Sequence, residues 1–388
     1  MHIHSYITSA KGIIELYDGT VPLSAWLKNY YSQHKKFGSK DRRFISHLCY
    51  SFYRLGKAFD PLPIEERIKL AQFITSEQST PLLEAINNDW NNKASLSIAE
   101  KLSLLNVSPD EVNIFPFLTH LSSEIDPQNF TRSHLIQPDL FLRIRPRKEQ
   151  AVAAKLSNHN IPFQQVTPNS IRLSNATKTD DILELDKEAV VQDLSSQQVL
   201  APLLEVIADK HTSLSAWDCC AASGGKSLLL RDNYPNINLT VSDVRKSILI
   251  NLERRFARAG IKNYRSFVAD VSSPGFSRKD QFDLILCDAP CSGSGTWGRT
   301  PEQLVFFKEE KINYYSDLQK KIATNAARRL KGGGYFLYIT CSVFREENEG
   351  VVEHLQKNTA LTLLSMRYIK GYDLKADTLF VALFTSLP

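Results

Sequence analysis

The 388-residue chain is 43% hydrophobic and 23% charged, the balance of a globular protein long enough for two or three cores. Its net charge of +5 is neutral over residues 1–133 and in excess only beyond them, which permits a polyanionic partner. No apolar run reaches membrane-spanning length and "MHIHSYITSAKG" lacks a signal-peptide layout, so a cytoplasmic address is expected and a membrane partner is not.

Residues 1 to about 125 read as helical. In "SKDRRFISHLCYSFYRLGKAF" the residues Phe44, Leu48, Phe52 and Leu55 fall on one face, with Ser39 expected as the cap and Asp41 in the first turn. Pro61 and Pro63 interrupt this pattern, and two or three more amphipathic helices are expected from Ile64 to about His120. From 134 to 188 the texture becomes that of a small α+β unit. Its opening strand alternates Leu140, Leu142 and Ile144 with Phe141, Arg143 and Arg145, and the second set is expected to form an exposed face for bases and phosphates. "VVQDLSSQQVLAPLLEVI" is expected to start a helix. From about 214, strands such as "LSAWDCCA", "LTVSDV", "YRSFVAD", "FDLILCDAP", "GYFLYITCS" and "TLFVALFTS" alternate with helices. That alternation predicts an α/β fold around a mainly parallel sheet.

The first of these strands runs into "DCCAASGGKS", where Gly224 and Gly225 allow a tight turn and Gly225 and Lys226 open a helix. A phosphate-binding P-loop would need glycine where Cys220 stands, and no G-x-G-x-x-G follows any strand. The second strand ends at Asp243, suited to ribose hydroxyls, and the third at Asp270, suited to an adenine amino group. Gly-Gly, Asp and Asp at successive strand ends indicate an adenosine-containing ligand. S-adenosyl-L-methionine fits because no separate phosphate motif is present. The six cysteines, Cys49, Cys219, Cys220, Cys287, Cys291 and Cys341, show neither a disulfide framework nor C-x-x-C spacing, so no metal site is expected.

With "DCCAASGGKS", "DAPCSGSGT" and "YITCSVFREENEGVV" in order, the chain resembles the Sun (Fmu, RsmB-type) family of RNA cytosine-5 methyltransferases. The stretch "SKDRRFISHLCYSFYRLGK" is similar to the NusB-like helical domain of the bacterial ribosomal RNA enzymes. The resemblance implies three domains: a NusB-like helical domain over 1–130, a small α+β RNA-binding unit over 134–190, and a Rossmann-like methyltransferase domain over 191–388. It implies a cofactor loop of Cys220, Ala221, Ala222, Ser223, Gly224, Gly225 and Lys226, together with Asp243, Asp270 and Asp288. Two departures stand out: Ser223 replaces the family's usual proline, and Glu188-Ala189 replaces a glycine before "VVQD".

Cytosine C5 is a poor nucleophile until a thiolate adds to C6 and makes the ring an enamine. Fold logic alone does not choose between Cys291 and Cys341, since enzymes acting on DNA cytosine use a Pro-Cys dipeptide like Pro290-Cys291. The family resemblance assigns Cys341 as nucleophile, Cys291 as the thiol that helps release product, and Asp288 as the group at N3. It gives Lys226 a nearby carboxylate or ligand group to fix; Cys219, Cys220 and Cys287, lying within apolar strands, are expected in core packing, with the backbone of Cys220 in the cofactor loop. Arg299 is a candidate for RNA phosphate. The expected partner is RNA, ribosomal and small-subunit, with no oligomer required. Rival readings are the same chemistry on transfer RNA, a DNA methyltransferase, and a non-catalytic RNA-binding assembly factor.

Overall fold

The computed structural model describes residues 3–108 and 112–387. The chain divides into two compact units, and neither follows the expected boundaries. The first comprises the residues up to Thr119, Asp126–Gln137 and Thr296–Glu309. The second comprises His120–Ile125, Pro138–Gly295 and Glu310–Pro388, so the small α+β region and the larger sheet form one compact unit.

The first unit is helical. Helices Ile3–Leu16, Leu23–Gln33, Ser39–Arg54 and Ile64–Thr75 enclose a core that includes Ile13, Leu27, Ile45, Leu48 and Ile68. Ser39 is not the cap expected of it. Gly38 precedes the helix, and its N–H donates to the Asp41 carboxylate at 3.0 Å, which also accepts the Tyr6 hydroxyl at 2.8 Å. Between Ile64 and His120 the described residues form four α-helices instead of two or three. Thr80, Asn87 and Ser97 each accept a backbone N–H and restart the helix after a short run. The segment Thr296–Glu309, read from sequence as part of the catalytic domain, folds with these helices. Its Glu302 carboxylate accepts the Leu23 N–H at 3.0 Å, and Phe306 stacks edge-on against Tyr17 with ring centres 5.1 Å apart.

The second unit holds two sheets. Strands β1 (Leu140–Ile144), β2 (Gln164–Thr167), β3 (Ser170–Leu173) and β4 (Ala189–Val191) form an antiparallel sheet in the order β2-β3-β1-β4. The larger sheet contains β5 (Ser215–Asp218), β6 (Asn238–Asp243), β7 (Tyr264–Val268), β8 (Phe282–Asp288), β9 (Leu330–Thr340), β10 (Leu361–Lys370) and β11 (Thr378–Ser386). Its order is β10-β11-β9-β8-β5-β6-β7, parallel from β7 to β9 and antiparallel at β11 and β10. The near-continuous apolar runs of β8 and β11 follow from burial on both faces. Among the described residues no helix is long and apolar enough to cross a membrane.

Two expectations for this unit are corrected. "VVQDLSSQQVLAPLLEVI" is not one helix: β4 ends at Val191, then Leu194–Gln197 and Ala201–Val206 follow as short helices, the second with Pro202 in its first turn. The supposed exposed face of β1 is buried. Phe141 and Arg143 are each 2% exposed. Arg143 Nη1 donates to Asp232 at 2.5 Å and Arg145 Nη2 donates to the same carboxylate at 2.7 Å. Period-2 alternation correctly groups these side chains, but the helix Gly225–Asn233 brings Asp232 over them. They hold the unit together through that shared carboxylate. Removing one partner of such a buried pair typically costs about 3–5 kcal/mol, because the other charge is left uncompensated.

Candidate active site

The strand order places β5 between β6 and β8, so the chain leaves β5 in opposite directions and a crevice opens at the carboxyl edge. A cavity of about 520 Å³ lies there. Cys220, Ala222, Lys226, Asp243, Asp270, Asp288, Cys291 and Cys341 line it, with Val271, Leu318 and Ile322 as apolar wall. Each polar member stands at or just after the end of a strand, or in the loop that β5 feeds.

The loop after β5 takes its shape from packing. Ala222 has φ 45°, in the left-handed region, and its N–H donates to Asp243 Oδ2 at 3.0 Å. Gly224 has φ 82° and heads the helix Gly225–Asn233; a Cβ there would lie 2.9 Å from Leu252 and Phe256. Gly225 would meet Arg255, and the Ser223 hydroxyl accepts from Arg255 Nη1 at 3.2 Å. Ala221 is buried. Of the predicted loop residues, Cys220, Ala222 and Lys226 therefore reach the cavity wall. Ala221, Ser223, Gly224 and Gly225 stand behind it and face the helix Lys246–Arg258. Gly224 is needed for that close approach.

Asp243 is nearly buried, and Oδ1 accepts the Arg245 N–H at 2.9 Å, so two backbone donors hold its carboxylate at the wall. Asp270 lies beyond the end of β7, its Oδ1 accepting the Ser272 N–H at 2.9 Å. Lys226 Nζ donates to Asp288 Oδ2 at 2.7 Å. Burial works against the Lys226 charge, but the Asp288 carboxylate outweighs it and raises the ammonium pKa.

The two strand-end thiols meet. Cys291 Sγ and Cys341 Sγ are 3.2 Å apart, both partly buried. The hydrogen bond to Cys341, with burial behind it, pushes the Cys291 thiol well above its ordinary range. Cys287 faces the core instead; Cys219, though packed in the same core, also borders the cavity, and burial raises its thiol likewise.

What holds the thiol loops was missed in the sequence. Glu347, fully buried, accepts the Ser292 N–H at 2.9 Å, the Gln319 amide at 2.8 Å and the Ser342 hydroxyl at 2.8 Å. One carboxylate thus ties the residue after Cys291 to the residue after Cys341. Asn348 adds a bond from Nδ2 to the Ser342 carbonyl at 2.8 Å, and Gly295 N–H donates to the Cys341 carbonyl at 2.9 Å. A Cβ at Gly295 would stand 2.0 Å from the Thr378 carbonyl oxygen. "REENEGVV" reads as acids favouring a helix N-terminus, but the helix starts only at Glu349. No local sequence signal marks Glu347, because its partners Ser292, Gln319 and Ser342 come together only in the fold. Arg299 lies in Thr296–Glu309, within the helical unit. Among the described residues no group of His, Cys, Asp or Glu could hold a metal ion.

The family model described as "16S rRNA methyltransferase RsmB/F" matches residues 205–382. Ribosomal RNA small subunit methyltransferase B of Xylella fastidiosa is 36% identical over 174 residues, 45% of this chain and 39% of that protein. Ribosomal RNA small subunit methyltransferase F of Shewanella loihica is 30% identical over 187 residues, 46% of this chain and 38% of that protein. The chain thus spans about half or less of the length of these curated relatives, from 38% to 51% for those of Shewanella loihica, Xylella fastidiosa and Bacillus subtilis. In fold, the crystal structure of PH0851 superposes with a TM-score of 0.70 at 20% identity, covering 98% of both chains. NSun6 from Pyrococcus horikoshii, solved with SFG, gives 0.59 at 14% identity, covering 70% of this chain and 97% of that one. The Rossmann-like architecture and the motifs agree with these matches: over residues 205–382 the chain is similar to the methyltransferase domains of the RsmB/F family.

Proposed function

We propose that the protein transfers a methyl group from S-adenosyl-L-methionine to C5 of a cytosine in ribosomal RNA, within the small-subunit RNA. The observation that carries this reading is the pair of thiols 3.2 Å apart at the ends of adjacent parallel strands, inside the cavity that Asp243 and Asp270 line. The matched relatives are named as small-subunit ribosomal RNA methyltransferases, which supports this reading.

The residues present fit the cofactor. Asp243 is fixed by two backbone amides with its carboxylate at the wall, Asp270 is exposed, and Val271, Leu318 and Ile322 supply an apolar side for a purine. When bound, S-adenosyl-L-methionine supplies an electrophilic methyl group. The protein's own part is covalent catalysis. Cys341 adds to C6, and Asp288, oriented by Lys226, meets N3 and the amino group of the base. Cys291, kept protonated beside Cys341, stands where it can give its proton to the Cys341 sulfur as that thiol is expelled, while H5 passes to water. The base must leave its stack to reach this cavity, so a loop or flipped nucleotide is the expected target.

The test is a trap. Cys291→Ala is mixed with total RNA and S-adenosyl-L-methionine and run on a denaturing gel, where a protein–RNA adduct is expected to accumulate. Sequencing the trapped RNA then names the substrate. An adduct with Cys341→Ala in its place would reverse the two roles. No adduct in either, with no methyl transfer by the wild type, would end the enzymatic reading.

A further inference from the structure

We propose that a basic groove at the amino edge of the seven-stranded sheet, opposite the thiol cavity, binds the phosphate backbone of the substrate RNA. This rests on RNA being the substrate and does not depend on the methyl transfer itself.

The groove encloses about 870 Å³. Arg147 and Lys148 reach it from beyond β1, Lys187 from before β4, Lys210 from before β5, Arg231 from the helix Gly225–Asn233 and Lys262 from before β7. Among the described residues the lining contains a single acid, Asp232, and its carboxylate is taken by Arg143 and Arg145 at 2.5 and 2.7 Å. The internal ion pair therefore removes the negative charge that would otherwise repel a polyanion. Arg147, Lys210 and Lys262 are exposed and form no ion pair among the described residues; Lys187 pairs only with exposed Glu184 at 2.7 Å. Arg147 also sits at φ 67°, a conformation that glycine or asparagine takes at less cost, yet a long cation occupies it.

The catalytic edge is built differently. Its cavity carries two cations, Lys226 and Arg245, and each is paired with an acid. Those side chains position a base and a cofactor, leaving the grip on phosphates to another surface of the unit. The six residues of β6 set the two edges roughly 20 Å apart, so RNA flanking the reactive base can reach the groove. Phosphate contacts of this kind supply affinity and register without reading sequence.

The test measures binding of a labelled small-subunit ribosomal RNA transcript to the full chain by fluorescence anisotropy across a salt series. The triple variant Arg147→Ala/Lys210→Ala/Lys262→Ala should bind about tenfold more weakly or worse, with the slope of log affinity against log salt reduced by roughly 2–3. At saturating RNA its kcat should be unchanged and its KM raised. The charge-preserving triple Arg147→Lys/Lys210→Arg/Lys262→Arg should restore both affinity and slope, which loss of fold would not allow. Unchanged affinity and slope in the alanine triple would overturn the proposal, as would poly-glutamate competing as well as RNA at equal charge. If the wild type transfers no methyl group while the alanine triple still loses RNA, the reaction reading falls and the groove stands.

Discussion

Two layers of reactive side chains stack at the carboxyl edge of the large sheet, and nearly the same residue types fill both. The lower layer, Asp218, Cys287 and Glu347, is buried to within 1% exposure. The upper layer, Lys226, Asp288, Cys291 and Cys341, borders the cavity. Cys287 and Cys291 lie on one strand and its exit. The strand's last residue separates a core thiol, packed among Trp217, Ile285 and Tyr338, from one that touches Cys341. Chemistry here is set by which side of the strand end a side chain falls on, more than by its type.

The sharpest way to break that contrast is to change one cysteine from each layer. Cys341→Ser should lower methyl transfer by about 10³-fold or more, since the attacking thiolate is gone. Cys287→Ala should leave kcat within a factor of about two while costing on the order of 1 kcal/mol of stability from lost packing. Single-turnover assays and urea unfolding on the two variants read both quantities. A large activity loss in Cys287→Ala would mean that the layers are not separable.

The second contrast is between an acid that works by holding and an acid that faces the base. Glu347→Gln keeps the shape but replaces one acceptor oxygen with a donor facing the Ser292 N–H, the Gln319 amide or the Ser342 hydroxyl. The expected result is a fall in kcat of about tenfold with KM unchanged, because the thiols shift relative to the base. Stability should drop by about 1–3 kcal/mol. Adduct formation in a Cys291→Ala/Glu347→Gln double variant should slow by the same factor. If it does not, the backbone alone places Cys341.

These layers also mark where sequence reading stops. The cavity layer was legible because apolar β8 and β9 announce buried parallel strands, and whatever follows such strands lies at a ligand edge. β10 was not: its residues alternate between buried and exposed, with Leu364 and Met366 open to solvent, and it joins the sheet only through antiparallel pairing with β11. Arg143 and Arg145 were grouped correctly on one face, but their partner Asp232 is distant in sequence, and alternation does not say which face meets water. Glu347 carries no local pattern at all. Its meaning comes from Ser292, Gln319 and Ser342, which only the folded sheet brings together. The same holds for Thr296–Glu309, whose Phe306 and Glu302 find their contacts on helices near the start of the chain.

The last contrast concerns Asp218, an acid of the lower layer. Asp218 ends β5 with Oδ2 accepting the Ser227 hydroxyl at 2.5 Å and Oδ1 without a hydrogen-bond partner among the described residues. Burial, opposed by that hydrogen bond and aided by Asp288, pushes its pKa from 3.8 up to about 7. Between about pH 4 and about pH 7 the folded protein therefore holds a proton on Asp218 that the unfolded chain has released. Because the folded state binds more protons, stability falls as pH rises through that window, and Asp218 contributes most below its unfolded pKa. A carboxamide does not titrate, so the Asp218→Asn variant should lose this slope while every other group titrates as before. The gap between wild-type and variant unfolding free energies should change by on the order of 2–4 kcal/mol between pH 4 and pH 7.5. Parallel urea-unfolding curves across that range would show that water or a rotamer change reaches Asp218 and that the lower layer is not dry.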